Sequence, residues 1–277
     1  MIHRIHSGNF RRRGSQWRST RHRLGGSLGA LLMLVMLLAA CESKEGAWPR
    51  IEREGVLRVG LDPTFPPFEV TTEKGLEGLD VDLARVLADE LGLEAEFVYF
   101  GYDGLYDALA TEQTDVLISA LVIVTGRTRD FAYSEPYFNA GEILVMPSGS
   151  SIVEMSDLSD KRLAVELGAQ GHVEATQWAK RLPGMTVVPF AGADEALSAV
   201  AEGAADAALV DGVSGRLYLK ERPDSELTHA AEPVTVEPYA MVVRIEDEVL
   251  LDKLDEALTS LKASGEYDKM TARWLGS

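Results

Sequence analysis

The side chains best placed to meet a ligand stand at the ends of two matching segments. Asp103-Gly-Leu-Tyr-Asp-Ala-Leu-Ala-Thr-Glu-Gln-Thr-Asp115-Val-Leu-Ile-Ser119 and Asp194-Glu-Ala-Leu-Ser-Ala-Val-Ala-Glu-Gly-Ala-Ala-Asp206-Ala-Ala-Leu-Val210 share one spacing between their aspartates. Each reads as an acidic helix start, a short helix, a turn and a buried strand. Ligands of open α/β sheets collect at the carboxyl ends of strands, which puts Ser119, Ala120 and Leu121 at one such end and Asp211 at the other. A carboxylate there holds a cation or serves as a general acid, and Asp62 and Glu166 have the same chemistry to offer. Other chemistries lack their parts. There is no Gly-x-Ser-x-Gly elbow, Cys41 is the only cysteine, and His172 and His229, the only histidines beyond residue 40, lack metal-ligand spacing. No metal and no cofactor is expected.

These positions need elements to hold them. Leu57-Arg58-Val59-Gly60-Leu61 has the two-residue period of a strand. It runs into Asp62-Pro63-Thr64-Phe65-Pro66-Pro67-Phe68, where three prolines argue against regular structure. A helix follows, with Leu83, Val86, Leu87 and Leu91 on one face, Asp80 or Asp82 as its cap and Gly92 as its end. Residues 94–100 read as a second strand. The alternation predicts an α/β fold with mostly parallel strands, and the repeat predicts two similar lobes.

Composition excludes some partners. The 277 residues are 46% hydrophobic and 26% charged, with a formal net charge of −17. Residues 1–40 hold seven arginines and no acid; removing those seven from the chain's 27 basic residues leaves 20 against 44 acidic ones, a net of −24. A body that acidic is repelled by phosphate backbones, so nucleic acid is set aside as a partner. The apolar run 28–40 behind the arginines, roughly thirteen residues, is shorter than the twenty or so a spanning helix needs, and reads as a secretory signal. Its last residues, Leu38-Ala39-Ala40-Cys41, resemble a lipobox, which implies lipidation at Cys41 and export to the cell envelope. The polar stretch to Arg50 suits a tether.

The string Leu57-Arg-Val-Gly-Leu-Asp-Pro-Thr-Phe-Pro-Pro-Phe-Glu69, followed by Gly78-Leu-Asp-Val-Asp-Leu83, then by Arg127 and Tyr133-Ser-Glu-Pro-Tyr-Phe138, resembles family 3 of the bacterial extracellular solute-binding proteins. The ending Gly265-Glu-Tyr-Asp-Lys-Met-Thr-Ala-Arg-Trp274 is similar to the family's last helix. The resemblance implies a two-lobed periplasmic-binding-protein type II fold, with two hinge strands and a ligand trapped between the lobes. The chain then divides into a lipoprotein signal peptide (1–40), a tether (41–50), a first lobe (51–139 and 235–277) and a second lobe (140–234). It implies a monomer that captures an amino acid and hands it to an ABC permease.

A buried zwitterion needs opposite charge for each of its own. By the resemblance, Arg127 is the carboxylate-binding arginine, whose planar fork matches two oxygens, and Asp211 receives the ammonium. Phe65 and Tyr102 would supply aromatic walls, with Phe68 as readily explained by core packing. Ala120, Leu121 and Val122 would line the first lobe. Gly168, Ala169 and Gln170, with Gly171, would form an anion-binding turn at a helix start. Two departures stand out. Val122 and Ala169 replace hydroxyl residues common in the family, leaving only backbone donors there. Asp62 and Glu166 would favour a cationic or amide side chain, such as arginine, lysine, histidine or glutamine, although in a protein this acidic both are equally explained as solvated rim groups. The alternatives are an enzyme on the same scaffold, resembling cyclohexadienyl dehydratase, and a sensing subunit without transport.

Overall fold

The computed structural model describes residues 46–276. The signal segment and Cys41 therefore lie outside the described residues. The irregular tether expected to reach Arg50 gives way earlier to a helix, α1 (Trp48–Glu54). Pro49 in its first turn needs no N–H there, and Gly55, with φ of 70°, closes it in the left-handed region.

Two five-stranded sheets follow. The first is built from β1 (Val56–Leu61), β5 (Glu94–Tyr99), β6 (Val116–Leu117), β7 (Phe131–Tyr133) and β15 (Val242–Arg244), in the order β5-β1-β6-β15-β7. The second is built from β9 (Glu142–Pro147), β10 (Arg162–Glu166), β11 (Thr186–Phe190), β12 (Ala207–Asp211) and β13 (Leu227–His229), in the order β11-β10-β12-β9-β13. In each, the central strand pairs parallel on one side and antiparallel on the other, and the reversed strand borders a crossing between the sheets. Those crossings are β8 (Phe138–Asn139) and β14 (Pro238–Tyr239), which pair with each other antiparallel. Two lobes are thus present, but the strands are less uniformly parallel than the alternation predicts: in each five-stranded sheet the reversed strand makes two of the four pairings antiparallel, because the chain enters it from a crossing rather than from a helix.

Helices cover the faces. In the first lobe α2 (Leu79–Glu90) buries Leu79, Leu83 and Leu87 against Leu57 and Val59 of β1, with Val86 and Leu91 half-buried beside them. α3 (Leu105–Ala110) precedes β6, and α7 (Glu248–Ala263) with α8 (Glu266–Leu275) closes the lobe. In the second lobe α4 (Gln170–Ala179), α5 (Ala193–Ala201) and α6 (Gly212–Glu221) do the same. A small sheet of β2 (Thr64–Phe65), β3 (Glu69–Thr72) and β4 (Gly75–Glu77) replaces the irregular loop expected at the prolines, since Thr64 and Phe65 precede Pro66 and pair with β3. Neither Asp80 nor Asp82 caps α2. Gly78 takes that position; Asp80 turns inward, and Asp82 accepts a 2.7 Å hydrogen bond from Trp274 Nε1 that docks α8.

The internal repeat has a structural counterpart. Asp115 and Asp206 each stand just before a central strand and accept from the backbone N–H and the guanidinium of an arginine in the first half of the neighbouring parallel strand, Arg58 in one lobe and Arg162 in the other. The two pairs differ in burial. Asp115 is fully buried and also receives Arg50, whereas Asp206 is partly exposed. Burial pushes the Asp115 carboxyl up, but hydrogen bonds from Arg58 and Arg50 outweigh it and hold the group below its ordinary range. Asp115→Ala, which leaves Arg58 without an ion-pair partner among the described residues and Arg50 with Glu54 alone, is expected to cost about 3 kcal/mol in chemical denaturation, and Asp206→Ala much less.

Candidate functional site

A cavity of about 330 Å³ opens beside the crossing strands. It is lined by Asp62, Thr64, Phe65, Glu69, Tyr102, Ser119, Ala120, Val122, Glu237 and Tyr239. Six of these, Asp62, Phe65, Tyr102, Ser119, Ala120 and Val122, were expected from the sequence; Thr64, Glu69, Glu237 and Tyr239 were not.

The local structure explains why they meet. Asp62 leaves the end of β1 and folds the loop around itself: Oδ1 accepts from Thr64 Oγ1 at 2.8 Å and Oδ2 from the Tyr102 N–H at 2.8 Å. Phe65 is exposed on one side and stacks on Phe68 on the other, with ring centroids 5.6 Å apart. Phe68 itself is core, wedged edge-on between Phe138 and Tyr239. Tyr102 is 56% exposed, so its ring is free to cover a ligand. Val122 bridges to Tyr239 of β14, joining this wall to the crossing.

Other expectations change. The Ala120 N–H is taken by Asp80 Oδ2 at 2.6 Å, so Ala120 offers a surface rather than a donor. Leu121 is buried among Leu105, Leu109 and Phe131 and belongs to the core rather than to the cavity lining. Arg127 ends a single 3-10 turn (Thr125–Arg127), is exposed, and stacks its guanidinium 4.1 Å from the centroid of the Tyr106 ring. It is not among the cavity-lining residues.

The second lobe presents Glu166 at the end of β10 and Asp211 at the end of β12. Asp211 caps α6, accepting from the Val213 and Ser214 N–H groups on Oδ1 alone. In the turn before α4, the Gly168 N–H donates to His172 Nδ1 and the Ala169 N–H to the Glu166 carbonyl, so neither points to a ligand as expected. Gln170 begins α4 beside them.

The residue that sequence reasoning missed here is Glu142. It lies on β9 in register with Asp211 and is 5% exposed. Burial, then the neighbouring Asp211 carboxylate, pushes its carboxyl up to about 7, with Glu237 and Glu166 adding to the rise and the Gly171 N–H opposing it. Glu237, on the return crossing, thus belongs to the first cavity and also acts on the second lobe's acids. A glutamate inside the apolar run Glu142-Ile-Leu-Val-Met146 carries no periodic signal of its own. Only the antiparallel register of β9 on β12 brings it to Asp211.

A larger cavity, about 640 Å³, lies in the second lobe among Met146, Met155, Trp178 and His229. It contains none of the residues expected from the sequence. Among the described residues no group of three His, Cys, Asp or Glu side chains could hold a metal ion, and no helix is long and apolar enough to cross a membrane.

Two lobes joined by paired crossing strands, with a polar and aromatic cavity beside the crossing, define a hinged solute-binding fold. The chain belongs to the bacterial extracellular solute-binding proteins, family 3, whose model matches residues 57–277. It is 28% identical to a probable histidine-binding protein of Neisseria gonorrhoeae, over 88% of this chain and 93% of that protein. The fold is similar to the L-cystine solute receptor of Neisseria gonorrhoeae in its unliganded open conformation, with a TM-score of 0.73 and 26% identity over 84% of this chain and 98% of that one. An ancestral cyclohexadienyl dehydratase is similar to the same degree, with a TM-score of 0.73 and 25% identity over 82% of this chain and 95% of that one.

At Gly171 the second wall leaves no room for a side chain. A Cβ there would stand 2.5 Å from Glu142 Oε2 and 2.8 Å from the Leu209 carbonyl oxygen. Gly171→Ala, which would gain about 1 kcal/mol in an open helix, is expected instead to lose about 1–3 kcal/mol, read as a lowered denaturation midpoint.

Proposed function

We propose that the protein is the extracytoplasmic binding component of an amino-acid ABC importer, and that its ligand carries a positive charge. The observation that carries the second half is Glu142. A solvated rim of acids is ordinary in a chain of net charge −17, but a buried carboxyl in register with a second carboxylate is not. Such a group costs free energy unless a proton or a cation neutralises it. A ligand ammonium or guanidinium between Asp211, Glu142 and Glu237 supplies that cation, while Phe65 and Tyr102 offer π faces to it.

Arg127 serves the ligand carboxylate in this reading. Its guanidinium makes no ion pair among the described residues and rests on the Tyr106 ring, so swinging it toward the cleft breaks a cation–π contact rather than a salt bridge. Amino acid held by both walls favours the closed form by its differential affinity for that form. The closed receptor then delivers its cargo to a membrane permease, with Cys41 carrying the lipid that keeps the protein at the envelope. The relative named above is a probable histidine-binding protein, which supports a reading without catalysis.

A carboxyl titrating near neutrality is also suited to general acid catalysis, and a dehydratase shares the fold. Incubation with a prephenate-like acid separates the two: product formation would favour the enzyme.

Two outcomes follow for binding. Arg127→Ala is expected to abolish amino-acid binding by calorimetry and leave the circular dichroism unchanged; unaltered affinity would remove Arg127 from the site. Glu142 is protonated in the free protein below about pH 7, and a cationic ligand favours its carboxylate. Affinity for L-arginine is therefore expected to rise several-fold between about pH 6 and about pH 8, with proton release on binding, and Glu142→Gln to flatten that rise.

A further inference from the structure

The binding reading does not use two acids at the first wall, one in the cavity lining and one behind it. Glu69 on β3 is 1% exposed and Asp80 in the first turn of α2 is 0% exposed. They are anchored on adjacent residues, Glu69 on Ser119 and Asp80 on Ala120, and each leaves one buried oxygen, Glu69 Oε2 and Asp80 Oδ1, with no hydrogen-bond donor among the described residues. Two carboxylates cannot satisfy those oxygens between them, because neither has a hydrogen to donate; a proton held by one of the two does so. The other two oxygens are engaged with the cavity wall. Glu69 Oε1 accepts from Ser119 Oγ at 2.7 Å, and that same oxygen of Ser119 accepts from the Asp62 N–H at 3.0 Å. Asp80 Oδ2 accepts from the Ala120 N–H at 2.6 Å and from the Tyr137 hydroxyl at 2.9 Å. Ala120 has a φ of 46°, a left-handed conformation that a non-glycine residue keeps only when its surroundings hold it.

We infer that Glu69 and Asp80 act as a single proton-sharing carboxyl pair that positions the wall formed by Asp62, Ser119 and Ala120. Both are positioning residues. The pair joins β3, α2 and the end of β6 through hydrogen bonds, and Tyr137, whose N–H donates to the Tyr239 carbonyl, extends it to the crossing strands.

The surroundings favour retention of the proton. Burial pushes both carboxyls up, and the Asp80 charge raises Glu69 further, as does the Asp62 carboxylate. The other titratable groups within electrostatic reach are Tyr137, Tyr239 and Tyr267, all neutral at physiological pH with their hydroxyls pushed up by burial. Among the described residues neither acid has an ion-pair partner.

The test reads the proton itself. A carboxyl whose folded value is raised holds its proton in the native state after the unfolded chain has released it, so its contribution to stability is complete at acid pH and is lost as pH rises through the folded value. Between the ordinary carboxyl range and that value, one such proton makes the unfolding constant rise about tenfold per pH unit. Glu69→Gln and Asp80→Asn each replace the shared proton by an amide donor of the same shape. Urea denaturation across neutral pH is expected to show, for either variant, a dependence shallower than wild type by that same factor of about ten per unit, with the double variant adding no further change. An unaltered slope in either single variant would overturn the pair, whether or not the protein binds an amino acid.

The positioning role rests on the binding reading and has its own arm. Glu69→Ala removes the acceptor for Ser119 and is expected to weaken binding of the probe L-arginine tenfold or more, while Glu69→Gln stays within about twofold of wild type. Equal affinities in the alanine and glutamine variants would overturn that role; wild type that binds no L-arginine would instead count against the function proposed above, and the slopes would still decide whether the pair holds its proton. If Glu69→Ala fails to fold, the decision falls to Ser119→Ala, for which the same weakening is expected and wild-type affinity would overturn the role.

Discussion

Glu142 and Asp211 stand side by side on β9 and β12, one nearly buried and the other anchored as a helix cap. Two carboxylates so placed repel each other in a medium that screens poorly, and the only relief is a proton, a cation or solvent. The surrounding structure closes off solvent from Glu142 by pressing Gly171 of α4 against it. It also holds the Asp211 carboxylate in place by giving its Oδ1 two backbone donors. That leaves proton and cation as alternatives on this wall, which is the basis of the proposed preference for a cationic ligand.

The scaffold serves this constraint by construction. Each sheet repeats one topology, and in each the reversed strand adjoins a crossing, so β8 and β14 bring Tyr239 and Glu237 to the cavity as the chain passes between lobes. The buried Asp115 cluster and its more exposed counterpart at Asp206 fix the starts of the central strands. Rigid anchoring at those ends leaves the opposite ends, with Ser119 and Asp211, to meet a ligand.

Much of this was legible in the sequence where local pattern decides. The period of residues 57–61, the apolar face of α2 and the repeated aspartates carried the fold, because each reflects a local geometry or a repeated unit. Asp62, Phe65, Tyr102 and Val122 were placed in the cavity by motif. The anion-binding turn was not as expected, since its Gly168 and Ala169 N–H groups are consumed by His172 and Glu166. Leu121 went to the core because its neighbours Leu105 and Leu109 come from a helix whose packing no motif specifies. Glu142, Glu69 and Glu237 escaped notice for one reason. Their partners are distant in sequence, and only strand register and helix docking bring them together. Even Asp80, flagged as a helix cap, has its role set by Ala120 and Tyr137, forty and more residues away.

The central claim is that the cleft selects positive charge, and a paired calorimetric titration tests it most directly. L-arginine and L-glutamate offer the same ammonium and carboxylate with opposite side-chain charges. The account predicts that L-arginine binds at least a hundredfold more tightly, a difference of about 2.7 kcal/mol. Equal affinities, or tighter binding of L-glutamate, would contradict it.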